Sequence, residues 1–329
     1  METFKSFAQS LKDINEGNFN EIALQLFHFQ SRNNLVYKRY LECLNFDANS
    51  VSEINQIPFL PIGFFKSQTI KSGDWKACAE FSSSGTTGSI SSKHQVYDLD
   101  FYLSHSENIF KYFFGEPESY HFLALLPSYL EREGSSLIEM MNHLIRRSGS
   151  EHSGFYLRNH KALIEKIYAL KNDSRKVILW GVSFALLDLA EELELDLSDC
   201  IIIETGGMKG RRREWIREEL HAFLTKQFQV KVIQSEYGMT ELMSQAYSKG
   251  SGYYQCPPSM RVLIRNINDP FEVLGNGKTG GINIIDLANF HSCAFIETQD
   301  LGSVNADGYF EVLGRMDNSD IRGCNLLIG

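Results

Sequence analysis

Two short stretches of this chain hold residues whose types and spacing could do chemistry. The first, Ser82-Ser83-Ser84-Gly85-Thr86-Thr87-Gly88, places five hydroxyl side chains and two glycines in seven residues. Such a run builds neither a stable helix nor a strand. It can wrap a polyphosphate, because glycine lets backbone N–H groups approach closely and Ser and Thr add further donors. It is not a Walker loop, which needs Lys directly after its second glycine; here Ser89 follows Gly88. The same composition also suits an exposed turn. A strand-like Ala79-Glu80-Phe81 leads into it, and ligands gather beyond strand ends.

The second stretch is Ser235-Glu236-Tyr237-Gly238-Met239-Thr240-Glu241. Tyr237 could stack on a base, and the Thr240 hydroxyl with the Glu241 carboxylate could hold Mg²⁺. The alternative is a turn around a buried tyrosine. Three further segments carry similar chemistry. Glu204-Thr205-Gly206-Gly207-Met208-Lys209-Gly210-Arg211-Arg212-Arg213 follows an apolar run and is expected to open a helix. Three arginines in a first turn oppose the helix dipole. Either Glu214, Glu218 and Glu219 compensate them in a solvated face, or an anion sits at the helix N-terminus. Glu297-Thr298-Gln299-Asp300-Leu301-Gly302 and Gly314-Arg315-Met316-Asp317-Asn318-Ser319-Asp320-Ile321-Arg322-Gly323-Cys324 could each be a polar turn. Taken together, in this order, the segments form a stronger signal than any one.

The elements that must position these residues follow from periodicity. Residues 2 to about 45 recur at helical spacing. Ile57–Lys66 carries two prolines three residues apart, which favours an extended, packed connector. From about 100 to 235, helical patterns (101–114, 136–147, 160–171, 184–194 and 211–227) alternate with apolar runs at 122–127, 177–180, 200–203 and 230–233. Short apolar runs between helices predict an α/β fold with a mostly parallel sheet covered on both faces. After 245, short runs at 260–265, 281–286, 293–297 and 309–313 predict a β-rich part.

Composition narrows the class. The chain has 329 residues, enough for one large domain or two smaller ones. Its net charge of −9 disfavours a nucleic-acid binder, which would be basic. No apolar run at the start resembles a signal peptide, and none reaches the roughly 20 residues of a membrane span; a cytoplasmic protein is expected. The six cysteines are scattered without C-x-x-C pairs, so neither a disulfide framework nor a zinc site is expected, and most should be buried.

In this order the segments resemble the adenylate-forming superfamily of acyl-CoA synthetases, luciferases and peptide-synthetase adenylation domains. The resemblance implies that Ser83, Ser84, Gly85, Thr86, Thr87 and Gly88 grip the ATP triphosphate. It also implies that Tyr237 with Gly238 and the Gly206–Gly207 pair line the nucleotide site, that Thr240 touches phosphate, and that Glu241 ligates Mg²⁺. Asp300 would bind the ribose hydroxyls with Arg315 beside it, and Asp317 would fall at the hinge to a small C-terminal domain. The superfamily continues for about a hundred residues past that hinge, a domain of ordinary small size. This chain ends twelve residues after Asp317, so the small domain, with its adenylation lysine, is expected to be missing. Lys209, Arg211 and Lys66 are candidates to replace that lysine.

Within the superfamily, several stretches look like the acyl-protein synthetase family, which includes the synthetase subunit of the bacterial luminescence fatty-acid reductase. They are Ile57-Pro58-Phe59-Leu60-Pro61-Ile62 with Phe64-Phe65-Lys66, Pro127-Ser128-Tyr129-Leu130-Glu131-Arg132, Thr205-Gly206-Gly207 with Lys209-Gly210-Arg211, and Arg322-Gly323-Cys324. That resemblance covers nearly the whole chain. It implies activation of a fatty acid as acyl-AMP, acyl transfer to Cys324, and delivery to a partner acyl reductase. Arg322 beside Cys324 would lower the thiol pKa, and a thioester would split one transfer into two easier ones. The expected organisation is an adenylate-forming domain over 1–313, with 314–329 as hinge and acyl-acceptor tail. Two other readings stay open: a CoA ligase of the phenylacetate type, and a non-catalytic nucleotide-binding scaffold.

Overall fold

The computed structural model describes residues 2–83, 90–127, 134–157, 159–192, 195–206 and 215–316. The chain divides into two compact units, Ala77–Pro257 and the pair of segments Met1–Lys76 and Pro258–Gly329.

Ala77–Pro257 is built on a six-stranded sheet. In spatial order its strands are Gly154–Phe155, Tyr120–Leu125, Lys176–Val182, Ile201–Thr205, Gln234–Tyr237 and Ala246–Ser248. The first five run parallel and the last is antiparallel. Residues 122–126 and 177–180 are buried along their whole length, because helices cover both faces and leave no solvated side to alternate toward. Capping places the helices. Asp98 and Asn159 accept from the backbone N–H of Phe101 and Ala162, each at 3.0 Å, and start Leu99–Phe114 and His160–Ala169. Gly149, at φ +59°, ends Ser136–Ser148 in the left-handed conformation that glycine adopts without strain.

Glu107 joins two of these helices. His143 Nε2 lies 2.7 Å and Lys111 Nζ 3.0 Å from its carboxylate, and Arg147 Nε donates at 3.0 Å. Burial pushes this carboxyl up, but the three partners outweigh it and hold it below the usual glutamate range.

Two expectations fail in this unit. The strand before the Tyr237 motif is Gln234–Tyr237, not 230–233. It pairs through Ile203↔Gln234, Glu204↔Ser235 and Thr205↔Glu236. Two of its buried side chains, Ser235 and Glu236, are polar and partnered, so a search for apolar runs passes over it. The helix before that strand is Arg217–Phe228, where 211–227 was expected. Trp215 packs against Phe223, with ring centroids 5.5 Å apart, and Ile216 is the N-cap. The first turn of that helix therefore carries Glu218 and Glu219, as the helix dipole favours, and Arg211–Arg213 lie outside the described residues.

The other unit joins distant parts of the chain. Helices Glu2–Ser10, Glu16–Asn33 and Leu35–Cys43 belong with an antiparallel sheet of Met260–Arg265, Thr279–Asp286, Phe295–Val304 and Phe310–Arg315. Leu60–Pro61 adds in parallel to Phe295–Val304. Buried amides staple the segments together. Gln30 Nε2 donates to Asn289 O at 3.0 Å and its Oε1 accepts from Ala294 N at 2.9 Å; Asn34 Nδ2 donates to Ser292 O at 2.9 Å. The connector at 57–66 is extended only to Pro61; Phe64–Ser67 forms one helical turn with Phe65 buried. The strand expected at 293–297 begins at Phe295 and runs on to Val304.

Of the five described cysteines only Cys293 is buried; Cys43 and Cys78 are exposed, contrary to the expectation that most are core residues. Among the described residues, no helix is long and apolar enough to cross a membrane.

Candidate active site

In the Ala77–Pro257 unit the hydroxyl-rich run leaves from a two-stranded hairpin. Ala79–Ser82 pairs with Lys93–Val96, with Phe81 opposite His94 and Ser82 opposite Lys93. A reciprocal pair of bonds closes the neck: Ser83 N donates to Ser92 O at 3.1 Å, and Ser92 N donates to Ser83 Oγ at 2.9 Å. Ser84, Gly85, Thr86, Thr87 and Gly88 lie outside the described residues.

The Tyr237 motif begins inside a strand and leaves it at the C-terminal edge of the parallel sheet, where such sheets take ligands. Register brings Val182, Thr205 and Glu236 to that edge side by side. Gly206 follows Thr205 at φ +67° and is exposed. Ser183 Oγ donates to the Gly206 carbonyl at 2.6 Å and to Glu204 Oε2 at 2.8 Å. His221 Nε2 lies 3.5 Å and Arg217 Nε 3.9 Å from Glu204. Burial raises the Glu204 pKa, yet His221, Arg217 and Ser183 together hold it below the ordinary value. A buried carboxylate thus sits ionised beneath the glycine turn. Gly207 and Lys209 lie outside the described residues.

Glu236 is buried and accepts the Thr205 hydroxyl. A methyl group at Gly238 would overlap the Glu236 carboxylate, which would have to give up its place on Thr205 to make room. Tyr237 is buried, its ring centroid 5.7 Å from that of Tyr254. Glu241 is 5% exposed, and Thr240 is half-buried. Two histidines hold this turn. His94 Nδ1 lies 2.8 Å from Thr240 O, and His105 Nε2 lies 2.9 Å from Ser244 Oγ. Burial pulls the His105 pKa down to about 4, so that ring is neutral at neutral pH.

In the other unit, Asp300 and Arg315 are register partners on adjacent antiparallel strands. The register shifts between Leu301 and Gly302, one residue beyond Asp300; a bulge of this kind re-aims the side chains beside it. Arg265 is the buried peg of this region. Its guanidinium donates to Ile282 O and Asn283 Oδ1 at 2.9 Å and to Thr298 O at 2.7 Å. Gly281 leaves the space it fills. Thr298 Oγ1 then accepts from Asp300 N at 3.1 Å. Glu297 lies 3.6 Å from Arg265, and burial raises its pKa against that cation. Lys66 is exposed on its helical turn. Cys324 and Asp317 lie outside the described residues.

Sequence reasoning singled out Tyr237, Gly238, Thr240 and Glu241, and the structure brings them to one sheet edge. It missed His94, Ser183, Arg217 and Arg265. The signal for His94 was alternation: Ser92, His94 and Val96 face inward, so a histidine holds a core position of a short strand. Arg265 leaves no comparable mark.

No protein-family model and no curated protein matches the chain. Solved structures do. An open conformation of 2-hydroxyisobutyryl-CoA ligase in complex with 2-HIB-AMP and CoA gives a TM-score of 0.67 at 12% identity, over 91% of this chain and 69% of that one. ATP-bound MatB from Rhodopseudomonas palustris gives 0.53 at 18% identity, over 72% of this chain and 48% of that one. A long-chain-fatty-acid-CoA ligase from Archaeoglobus fulgidus gives 0.54 at 16% identity, over 75% and 53%. The chain therefore spans about half the length of MatB. What is shared at these identities is the fold: this is the α/β architecture of the large domain of adenylate-forming ligases.

Proposed function

We propose that the protein activates a carboxylic acid, by resemblance a fatty acid, as acyl-AMP at the expense of ATP. It then takes the acyl group onto Cys324 and passes it to a partner acyl reductase in the cytoplasm. The observation that most supports adenylation is the tie between His94, on the strand beyond the hydroxyl-rich loop, and Thr240 of the Tyr237 motif. Two segments far apart in sequence, each suited to phosphate or metal, are joined by one hydrogen bond.

The residues present fit Mg²⁺. The Glu241 carboxylate and Thr240 hydroxyl are hard oxygen donors, and Mg²⁺ needs only one or two protein carboxylates beside phosphate and water. Bound there, the ion would neutralise charge on the leaving pyrophosphate. Glu241 would hold it, Asp300 would accept from the ribose hydroxyls, and the Ser83–Gly88 loop would donate to the triphosphate. The substrate carboxylate oxygen attacks the α-phosphorus, and the bond from that phosphorus to the bridging oxygen breaks. The Cys324 thiolate then attacks the acyl carbonyl, a thioester forms and AMP leaves. Lys209, Arg211 or Lys66 would supply the cation over the reacting phosphate, and residues 314–329 would serve as hinge and acceptor tail.

ATP–pyrophosphate exchange with a panel of carboxylic acids tests the first half-reaction. Exchange with at least one acid is expected, and none with any acid overturns the reading. Cys324→Ser should keep exchange and lose hydroxylamine-sensitive acyl labelling, because an alcohol is a poor nucleophile at neutral pH. The names of two structural neighbours favour a second acceptor, since both are CoA ligases. Acyl-CoA formed with undiminished rate by Cys324→Ser would decide for that reading.

A further inference from the structure

We propose that His94 is a positioning residue: its Nδ1–H bond to the Thr240 carbonyl locks the neck of the hydroxyl-rich loop to the turn that carries Glu241. The inference rests on the reading above in assigning that loop and Glu241 to MgATP. It goes beyond that reading in naming what ties the neck of the loop to the turn that carries Glu241.

The geometry carries it. His94 is 1% exposed and stands opposite Phe81 in the hairpin from which the loop leaves. Two residues before it, Ser92 closes the loop neck with Ser83. A carbonyl oxygen can only accept, so at 2.8 Å the hydrogen is on Nδ1. Thr240 O belongs to the peptide unit that leads directly into Glu241. Holding that oxygen sets the plane from which the Glu241 backbone departs. The neck of the loop and the peptide leading into Glu241 are thereby arranged before a ligand arrives, and preorganised groups need no rearrangement as charge develops.

The test compares His94→Leu, which keeps bulk and loses the donor, with His94→Asn, whose Nδ2 can stand where Nδ1 stands. In the ligand-free protein, His94→Leu should raise amide hydrogen exchange several-fold in peptides covering both 79–96 and 236–245, and His94→Asn should restore most of the protection. His94→Leu should also weaken MgATP binding about tenfold while leaving AMP binding within twofold, since AMP lacks the β- and γ-phosphates and their metal. If His94→Leu does not fold, His94→Gln replaces it with the same expectations, its amide lying one carbon too far out. Faster exchange confined to 79–96, an Asn variant that behaves like Leu, or equal loss of AMP and MgATP binding overturns the proposal. A wild-type protein that supports no pyrophosphate exchange with any acid would sink the adenylation reading instead, and the hydrogen-exchange comparison would still judge the tie.

Discussion

Asp300 and Arg315 face each other across adjacent strands, with carboxylate oxygen and guanidinium Nε 4.0 Å apart. The arginine is largely exposed, whereas Asp300 is mostly covered. An exposed pair of this kind contributes only about 0–1 kcal/mol to stability. The pair therefore adds little to holding the sheet together.

That separates affinity from folding. Asp300→Ala should weaken ATP binding by the worth of a charge-assisted hydrogen bond, about 1.5–3 kcal/mol or roughly 10- to 150-fold. The unfolding midpoint should stay close to that of the wild type. Isothermal titration with ATP alongside a thermal melt reads both. Unchanged affinity would remove Asp300 from the nucleotide site.

Glu241→Gln keeps the shape of a 5%-exposed side chain and removes its charge. Acyl-AMP formation should fall at least a hundredfold, as for loss of a group that stabilises transition-state charge. Raising Mg²⁺ should recover part of the rate if the ligand is weakened rather than lost. Wild-type kinetics in this variant would move the metal to another carboxylate, with Glu236 the next to examine.

Gly238 leaves room for the carboxylate of its neighbour Glu236. Gly238→Ala should cost about 1–3 kcal/mol, as overpacking does, because the new methyl would meet the Glu236 carboxylate held by Thr205. The double variant Glu236→Ala with Gly238→Ala should lose less than the sum of the singles. Strict additivity in urea unfolding would show that the two sites are independent.

Acid stability should report Glu107. Its folded pKa is depressed by His143, Lys111 and Arg147 against the opposing effect of burial. A depressed carboxyl binds fewer protons folded than unfolded. Its contribution is therefore complete above the unfolded value of about 4.3 and is lost as pH falls through the lower folded value. Glu107→Gln should be less stable at pH 7 and should show a shallower loss of stability below pH ~5. An acid limb parallel to that of the wild type would contradict the cluster's role.

Much of the fold was legible from the chain alone. The runs at 122–127 and 177–180 had to be strands covered on both faces, because no face of them is polar. The helical patterns at 101–114, 136–147 and 160–171 fell on helices Leu99–Phe114, Ser136–Ser148 and His160–Ala169, because apolar residues recurring every three to four positions can share one buried face only in a helix. Hydroxyls and glycines at 82–88, and an aromatic, a hydroxyl and a carboxylate at 237–241, set the kind of chemistry available, since side-chain type alone limits what can touch phosphate or metal.

Tertiary structure decided which groups meet. Gln234–Tyr237 is a strand because Ser235 and Glu236 find partners in His221 and Thr205; without them, burying a hydroxyl and a carboxylate would be unfavourable. The division into two units depends on Gln30 and Asn34 bonding to backbone more than 250 residues away. His94 reaches Thr240 across 146 positions. Periodicity describes neighbours along a helix or strand. Contacts at these separations follow instead from closing the sheets and pairing polar groups that closure buries, as Gln30, Asn34, His94 and Glu236 are paired.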